Sequence, residues 1–379
     1  MKMQTRMLAL ALALVLAFAA GCSQQDTSWV AQSGEDTLPV GVYMVELMMG
    51  YNDAAGQLAG STDILKETID GTPAAQYIAD FAKAECAKLL AIRKEFADRG
   101  LTLTEEDTQQ AVSYTDYLYG MGETFYNANG VAKESVQYIN DTTMMSLELF
   151  NSIYGEGGEK AVPRADLEKE FAGRYTRSQY VYFPKVDLAT GMPLSDEEIA
   201  ASKEKAESYY KRAQAGEKMP DLYYEVAKEQ NPETVGEKLE DSQYDIYLEN
   251  NAGYFPPVFE STVVSAADNE VKMVEDEYYF YLIKKLPTLE GDPETIQGYL
   301  DGVLQSLKYD EYMETLTGWG QGMDIRYNNA ALAAYTPAKL KMTQEQLDTA
   351  SSGSESSVPE SGSESAASGE SSSESSSQG

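Results

Sequence analysis

Residues 175–184 carry the sequence YTRSQYVYFP, and this stretch decides the fold class. Its β-branched and aromatic residues are typical of a strand, and Pro184 ends that strand because proline cannot donate to a sheet ladder. A turn over 188–193 follows, and Ser195 supplies an N-cap for a charged helix through Ala215. Further paired strands are predicted at 271–274 and 278–285. The order of strand, loop, helix and paired strands therefore predicts an α+β unit.

Helical patterns dominate on both sides of this unit. Apolar residues recur at helical spacing between Pro73 and Gly100, and Thr104 is predicted to cap the next helix. Another amphipathic run covers 136–153, and Asp292-Pro293 begins a returning helix. Near the start, a turn over 33–36 joins two short strands, and a helix is predicted over 40–49.

The fold class predicted from these patterns is α+β, with one domain inserted into another. A helical N-terminal body is predicted over 29–165 and a small α+β domain over 166–288. A returning C-terminal helical region is predicted over 289–345. The length of 379 residues accommodates two or three domains.

Composition and charge exclude several classes of function. The chain has 62 Asp and Glu against 29 Lys and Arg, a net charge of -33, so no nucleic acid partner is expected. It contains no histidine, which excludes Ser-His-Asp and Cys-His catalysis and His-ligated zinc. Tyrosine supplies 27 aromatic residues against 10 Phe and 2 Trp, which favours half-buried or binding surfaces.

The first residues have the pattern of a secretory signal. Lys2 and Arg6 precede an apolar stretch over 7–20, which is too short to span a bilayer as a stable helix. Small residues then lead into Cys22, as in the bacterial lipoprotein processing box. We predict a signal peptide over 1–21, lipidation of Cys22 and a tether over 22–28, which would place the protein on the extracytoplasmic face of the bacterial cell membrane. Ordinary secretion with a chance cysteine is the alternative.

Two further segments are assigned no chemistry. Cys86 is the only other cysteine, and the helical run around it predicts a small buried side chain rather than a nucleophile. Beyond residue 346 the composition is reduced to Ser, Gly and Glu, so 346–379 is predicted to be a solvated tail that builds no core.

Acidic runs are the remaining candidates for a metal or catalytic site. Runs at 105–107, 197–198 and 275–277 have the composition of paired carboxylates or calcium ligands, but solvated helix starts and turns explain them as well. No P-loop, Gly-rich dinucleotide turn, CxxC motif or nucleophile elbow is present. No metal and no cofactor is therefore expected.

Three stretches resemble the PrsA-type foldase lipoproteins, a peptidyl-prolyl isomerase family that shares its plan with the SurA-type periplasmic chaperones. Residues 177–183 resemble the first strand of the parvulin domain of that family. Residues 253–260, GYFPPVFE, resemble the segment before its last helix, and 270–284 resemble its closing strand. The resemblance implies a chaperone body with an inserted parvulin-like domain, and unfolded secreted polypeptides as partners.

The catalytic pattern of the family is degenerate in this chain. Parvulins carry a histidine in the first strand and another in the last, and Tyr180 and Tyr281 occupy the matching positions. By resemblance, these two hydroxyls would supply hydrogen bonds at the site, while Phe255 and Phe259 would line a pocket for the proline ring. Prolyl isomerisation needs an apolar pocket and a twisted amide rather than a broken bond, so histidine is not strictly required. The alternative is that all four residues are ordinary core and strand aromatics.

Two functions from different classes follow. The first is a membrane-anchored chaperone or foldase that binds unfolded secreted proteins and whose isomerase activity is weak or lost. The second is a substrate-binding lipoprotein that delivers a small ligand to a transporter. That second function predicts two α/β lobes with parallel sheets, whereas few apolar strands alternate with helices before residue 174.

Overall fold

The computed structural model describes residues 26–61, 63–230 and 235–342. The signal peptide, Cys22 and the predicted tail over 346–379 lie outside the described residues. The chain divides into two compact units. Among the described residues, the first comprises those in 26–153, 157–159 and 309–342, and the second comprises those in 154–156 and 160–308.

The first unit opens with the predicted hairpin, followed by helices. Strands β1 (Trp29–Ser33) and β2 (Asp36–Pro39) pair antiparallel and lead into α1 (Val40–Gln57), which is longer than predicted. A second, shorter hairpin is formed by β3 (Thr68–Ile69) and β4 (Thr72–Pro73). The remaining helices before the second unit are α2 (Ala74–Asp98), α3 (Glu105–Met121), α4 (Glu123–Asn129) and α5 (Lys133–Tyr154).

Local signals set the helix ends in this unit. Helix α2 stops before Gly100, whose φ of +67° is a left-handed conformation that favours glycine. Thr104 caps α3 as predicted, and its side chain and that of Asp107 form a reciprocal capping box. Cys86 is buried in the core against which α1 and α2 pack, as predicted, and burial raises the pKa of its thiol well above the ordinary value.

The second unit is built around one four-stranded antiparallel sheet. Its helices are α6 (Arg164–Arg174), α7 (Asp196–Gln214), α8 (Met219–Gln230) and α9 (Pro257–Ser265). Its strands are β5 (Tyr175–Pro184), β6 (Ile246–Glu249), β7 (Val271–Glu275) and β8 (Tyr279–Leu286), in the order β6-β5-β8-β7. Ser195 caps α7 as predicted and forms a capping box with Glu198.

The sheet of the second unit carries a separate core on each face. Because side chains alternate along a strand, Val181 and Phe183 of β5 lie on one face and pack with residues of α7 and α8. Tyr180 and Tyr182 lie on the other face, which is covered by α9. The fold is therefore α+β, as predicted. All strand pairings among the described residues are antiparallel, so the parallel lobes required by the small-ligand function are not found in this part of the chain.

The returning helix α10 (Pro293–Gly322) starts at the predicted proline. Its residues up to 308 belong to the second unit, where Tyr299 packs against Phe171 with ring centroids 5.2 Å apart and Arg174 donates to Ser306. These contacts carry the second unit past residue 288, and its main segment begins at residue 160.

The first unit is completed by the end of the described chain. Strand β9 (Arg326–Tyr327) pairs antiparallel with β1, and α11 (Asn329–Ala334) follows. Asn328 caps α11 and its amide donates to the carbonyls of Asp26 and Trp29, which ties this segment to the N-terminal hairpin. None of the helices in the described parts of the chain has the length and apolar character needed to cross a membrane.

Candidate functional site

The candidate site lies on the face of the second sheet that α9 covers. The antiparallel register places Tyr182 of β5 opposite Tyr281 of β8, and Tyr180 opposite Ile283. Both predicted tyrosines therefore project from neighbouring strands to the same face, because residues directly opposite in a ladder share a face.

The segment before α9 folds back onto this face. Gly253 has a φ of +80°, and Pro257 at the first helical position starts α9. The buried carboxylate of Glu260 accepts the backbone N–H of Phe255 at 3.0 Å. This hydrogen bond holds Phe255 over the first turn of the helix, where its ring stacks on that of Phe259 with centroids 4.4 Å apart and planes inclined by 14°.

The structure brings all four predicted site residues into one aromatic cluster. The ring of Tyr180 meets both phenylalanines edge to face, 5.5 Å from Phe255 and 5.3 Å from Phe259. Tyr281 meets Phe259 edge to face at 5.2 Å. Aromatic pairs at these separations and angles are favourable beyond the area that they bury, so these contacts stabilise the cluster.

The four residues differ in what a ligand can reach. Phe259 is 0% exposed and Tyr281 is 5% exposed, whereas Phe255 and Tyr180 are half-buried. Phe259 lies beneath Phe255 and supports it. A ligand at this site would therefore contact Phe255 and Tyr180, with the other two rings as the floor.

The hydroxyl of Tyr281 is already engaged. It donates to the carboxylate of Asp276 at 3.1 Å, and the same carboxylate accepts the backbone N–H groups of Tyr278 and Tyr279 at 2.8 and 2.7 Å. Asp276 thus shapes the turn between β7 and β8 and holds the Tyr281 hydroxyl in place. Because that proton is given to Asp276, the hydroxyl of Tyr281 can serve a further partner only as an acceptor.

Both tyrosines stay neutral through physiological pH. Burial raises the pKa of Tyr281, and the nearby Asp276 carboxylate raises it further. Burial also raises the pKa of Tyr180, and the neighbouring Tyr223 raises it by a smaller amount. Since the ordinary pKa of tyrosine is already near 10, neither hydroxyl is a general base at neutral pH. The site offers apolar rings and neutral hydroxyls.

Sequence reasoning missed Asp276 and the additional tyrosines of this face. The sequence left the run 275–277 open between carboxylate ligands and a solvated turn, and the structure places a turn there with the Asp276 carboxylate directed to the Tyr281 hydroxyl. Tyr182 and Tyr279 form another edge-to-face pair at 5.3 Å beside the cluster. The alternation of tyrosine along β5 and β8 was the signal from which these residues could have been found.

Asp245 precedes β6 at the edge of the same sheet. Its carboxylate pairs with the guanidinium of Arg177 at 2.6 Å and accepts the side-chain amide of Gln179 at 2.7 Å. Only 3% of the Asp245 side chain is exposed. Its oxygens are bound to β5 side chains, so Asp245 braces the sheet edge and is not available to a ligand.

A cavity of about 160 Å³ opens beside this face at Tyr182 and Tyr223. Tyr182 is half-buried and Tyr223 is exposed. The ring of Tyr223 also packs against that of Tyr244, with centroids 5.2 Å apart. The rest of the lining comes mostly from α8 and consists of Val181, Val226, Ala227, Gln230 and Val235. The cavity shares Tyr182 with the face that α9 covers, and its other lining residues include Val181 and Val226 of the core on the opposite face.

No family model matches the chain, and no curated protein matches it. Solved structures do match. They are structures of PrsA. The PrsA structure from Bacillus subtilis is 15% identical, with 68% of this chain and 91% of that chain covered and a TM-score of 0.31.

Two further matches are foldase proteins. PrsA from Streptococcus pneumoniae is 11% identical over 86% of this chain and 98% of that chain, with a TM-score of 0.30. PrsA from Lactococcus lactis is 10% identical, with 81% of this chain and 97% of that chain covered and a TM-score of 0.34. These proteins belong to the family that residues 177–183 and 253–260 resemble. Likeness at this level of identity concerns the fold alone.

Proposed function

We propose that this protein is a chaperone of unfolded polypeptides whose sheet domain binds proline-containing segments, with weak or lost prolyl isomerase activity. One observation carries the proposal: the half-buried ring of Phe255 is stacked on the buried Phe259 and flanked edge-on by Tyr180. A flat apolar ring held rigidly beside a hydroxyl suits a proline ring and the carbonyl next to it.

The same geometry explains why catalysis would be weak. The barrier to rotation about a peptide bond is about 18–20 kcal/mol, and a catalyst must stabilise the twisted amide more than the planar one. Packing on Phe255 is similar for both states of the amide and therefore contributes binding rather than rate. The hydroxyls of Tyr180 and Tyr281 are the polar groups left to favour the twisted state, and that of Tyr281 already donates to Asp276.

We also propose that the protein acts on the extracytoplasmic face of the cell membrane, anchored through a lipid on Cys22. This part of the proposal rests on the charged and apolar signal sequence that precedes Cys22. Unfolded secreted proteins are the polypeptides that emerge on that face. The net charge of -33 keeps such a chaperone soluble while it holds apolar clients.

The proposal is tested with a fluorescent peptide that contains one proline and a matched peptide with alanine in its place. The full chain should bind the proline peptide more tightly, and Phe255→Ala should abolish that preference. Tyr254→Ala is the matched control, because Tyr254 precedes Phe255 and is 78% exposed outside the cluster. It should change the affinity by less than about twofold.

Isomerisation of the proline peptide is measured on the same samples. Any rate should be nearly constant from about pH 6 to 8, since the site lacks histidine and its tyrosines stay neutral. Equal affinity for both peptides in the parent chain would refute the binding proposal. A robust rate that survives Phe255→Ala would place the chemistry elsewhere.

A further inference from the structure

We infer that an exposed aromatic stripe on helix α3 of the first unit binds cationic, extended polypeptide segments. The stripe consists of Tyr114, Tyr117 and Met121. The inference rests on the proposed chaperone function and adds to it a second client surface, separate from the proline site, together with the charge of the clients that it selects.

The stripe is defined by spacing and exposure. Its residues stand at positions i, i+3 and i+7, which share one flank of a helix. Tyr114, Tyr117 and Met121 are 38%, 59% and 71% exposed. The rings of the two tyrosines lie nearly parallel, with centroids 6.3 Å apart and planes inclined by 22°. Large apolar side chains that adjoin one another on a surface are typical of interaction sites.

Other side chains of α3 hold the helix in place. Ala111 and Thr115 are fully buried, and the Thr115 hydroxyl accepts the amide of the buried Asn140 at 2.8 Å. On a different flank Tyr119 stacks on Tyr126 with centroids 5.0 Å apart, and Asp116 pairs with Lys133. None of these anchoring contacts uses the stripe, so its side chains remain available to a partner while the backbone beneath them is fixed.

The charge of the helix selects the partner. Helix α3 contains no lysine or arginine, and its first turn carries Glu105, Glu106 and Asp107, while Asp116 is paired with Lys133. Together with a net charge of -33, this composition repels a second copy of the chain and an anionic membrane surface. A polypeptide that carries Lys or Arg among apolar residues is attracted.

The side chains of the stripe fit such a segment. Lysine and arginine cations bind over the faces of tyrosine rings, and methionine adapts to apolar side chains of varied shape. Both kinds of contact tolerate many sequences, which a chaperone requires. The stripe therefore accepts the composition of a cationic client rather than one defined motif.

The experiment uses the full chain and two short fluorescent peptides without proline. One peptide combines Lys, Leu and Ser, and the other has Glu in place of each Lys. Binding is measured by fluorescence anisotropy at low and high salt. We expect the Lys peptide to bind and the Glu peptide not to bind, and we expect the affinity for the Lys peptide to fall as salt screens the acidic helix.

The decisive variant is Tyr117→Ala/Met121→Ala, which keeps helix propensity and changes only exposed side chains. It should weaken binding of the Lys peptide by about tenfold or more. The matched control is Leu188→Ala/Met192→Ala in the second unit, where the side chains are 49% and 66% exposed on a loop. The control should change the affinity by less than about twofold.

Three outcomes would overturn the inference. They are no binding of the Lys peptide by the parent chain, equal binding by the parent chain and the stripe variant, and equal affinity for the Lys and Glu peptides. Sedimentation of the parent chain tests whether a second copy of the chain occupies the stripe instead. A dimer that Tyr117→Ala/Met121→Ala abolishes would assign the stripe to that second copy.

Suppression of client aggregation by the parent chain is measured separately. A parent chain that fails to suppress aggregation, but binds the Lys peptide through the stripe, would refute the chaperone function alone. If Tyr117→Ala/Met121→Ala suppresses aggregation as well as the parent chain does and also binds the Lys peptide with the same affinity, the inference about the stripe is refuted. The chaperone function would then stand.

Discussion

Glu46 is an acidic residue that is buried in the first unit. It lies within the apolar run of α1 and is only 8% exposed. Burial raises its pKa from the ordinary value near 4.5 to about 8, with a further increase from the carboxylate of Glu85 and a partial offset from Lys88. At neutral pH this side chain is therefore mostly a protonated acid inside the first unit.

The burial of Glu46 predicts a loss of stability as pH rises. The unfolded chain releases this proton near pH 4.5, whereas the folded chain keeps it until about pH 8. The contribution of Glu46 is therefore fully present below pH 4.5 and is lost progressively up to pH 8. Since one pKa unit corresponds to about 1.4 kcal/mol, the loss amounts to several kcal/mol.

Glu46→Gln should remove this dependence. Denaturant unfolding should show the variant more stable than the parent chain at pH 8 and close to it at pH 4.5. Glu35→Gln, an exposed site in the β1–β2 turn, is the control and should behave alike at both values. A Glu46→Gln difference that is the same at pH 4.5 and pH 8 would contradict the assignment.

At the scale of elements, capping boxes define where two of the helices begin. Thr104 of α3 accepts the backbone N–H of Asp107 at 3.1 Å, while the Asp107 carboxylate accepts that of Thr104 at 2.9 Å. Two backbone donors that would otherwise lack a helical partner are thereby satisfied. The same arrangement of Ser195 and Glu198 begins α7.

Thr104→Ala should lower the free energy of unfolding of the first unit by about 1 kcal/mol. Thr102→Ala makes the same substitution two residues earlier, at an exposed site before the helix, and should have little effect. Urea unfolding followed by helical circular dichroism measures both variants. Equal losses in the two variants would show that the cap does not hold α3.

At the scale of the whole molecule, the proposed anchor decides where the two units work. If Cys22 carries a lipid, expression of residues 1–379 in a bacterium should give a membrane-bound product whose N-terminal residue carries the mass of the lipid. Cys22→Ser should release the chain or block its processing. Cys86→Ser is the control, because Cys86 is buried within the first unit and should leave partition unchanged. A Cys22→Ser product that stays with membranes would count against the anchor.

The sequence by itself determined the local features of this protein. Pro184, Ser195, Thr104 and Gly100 mark element boundaries that the structure reproduces, because caps and breakers act on the backbone within a few residues. The β-branched and aromatic residues of 175–183 likewise predicted the strand that the structure shows as β5. The resemblance nominated the four aromatic residues that the fold assembles.

Only the tertiary structure decided which of those residues are exposed. Phe259 lies under Phe255 because Glu260 binds the backbone of the preceding segment, and Asp276 turns inward to Tyr281 across a hairpin. The pairing of β9 with β1 joins residues about 300 positions apart, and contacts of Tyr299 place the start of α10 in the second unit. Exposure and long-range pairing depend on what packs against each side chain, and local spacing does not contain that information.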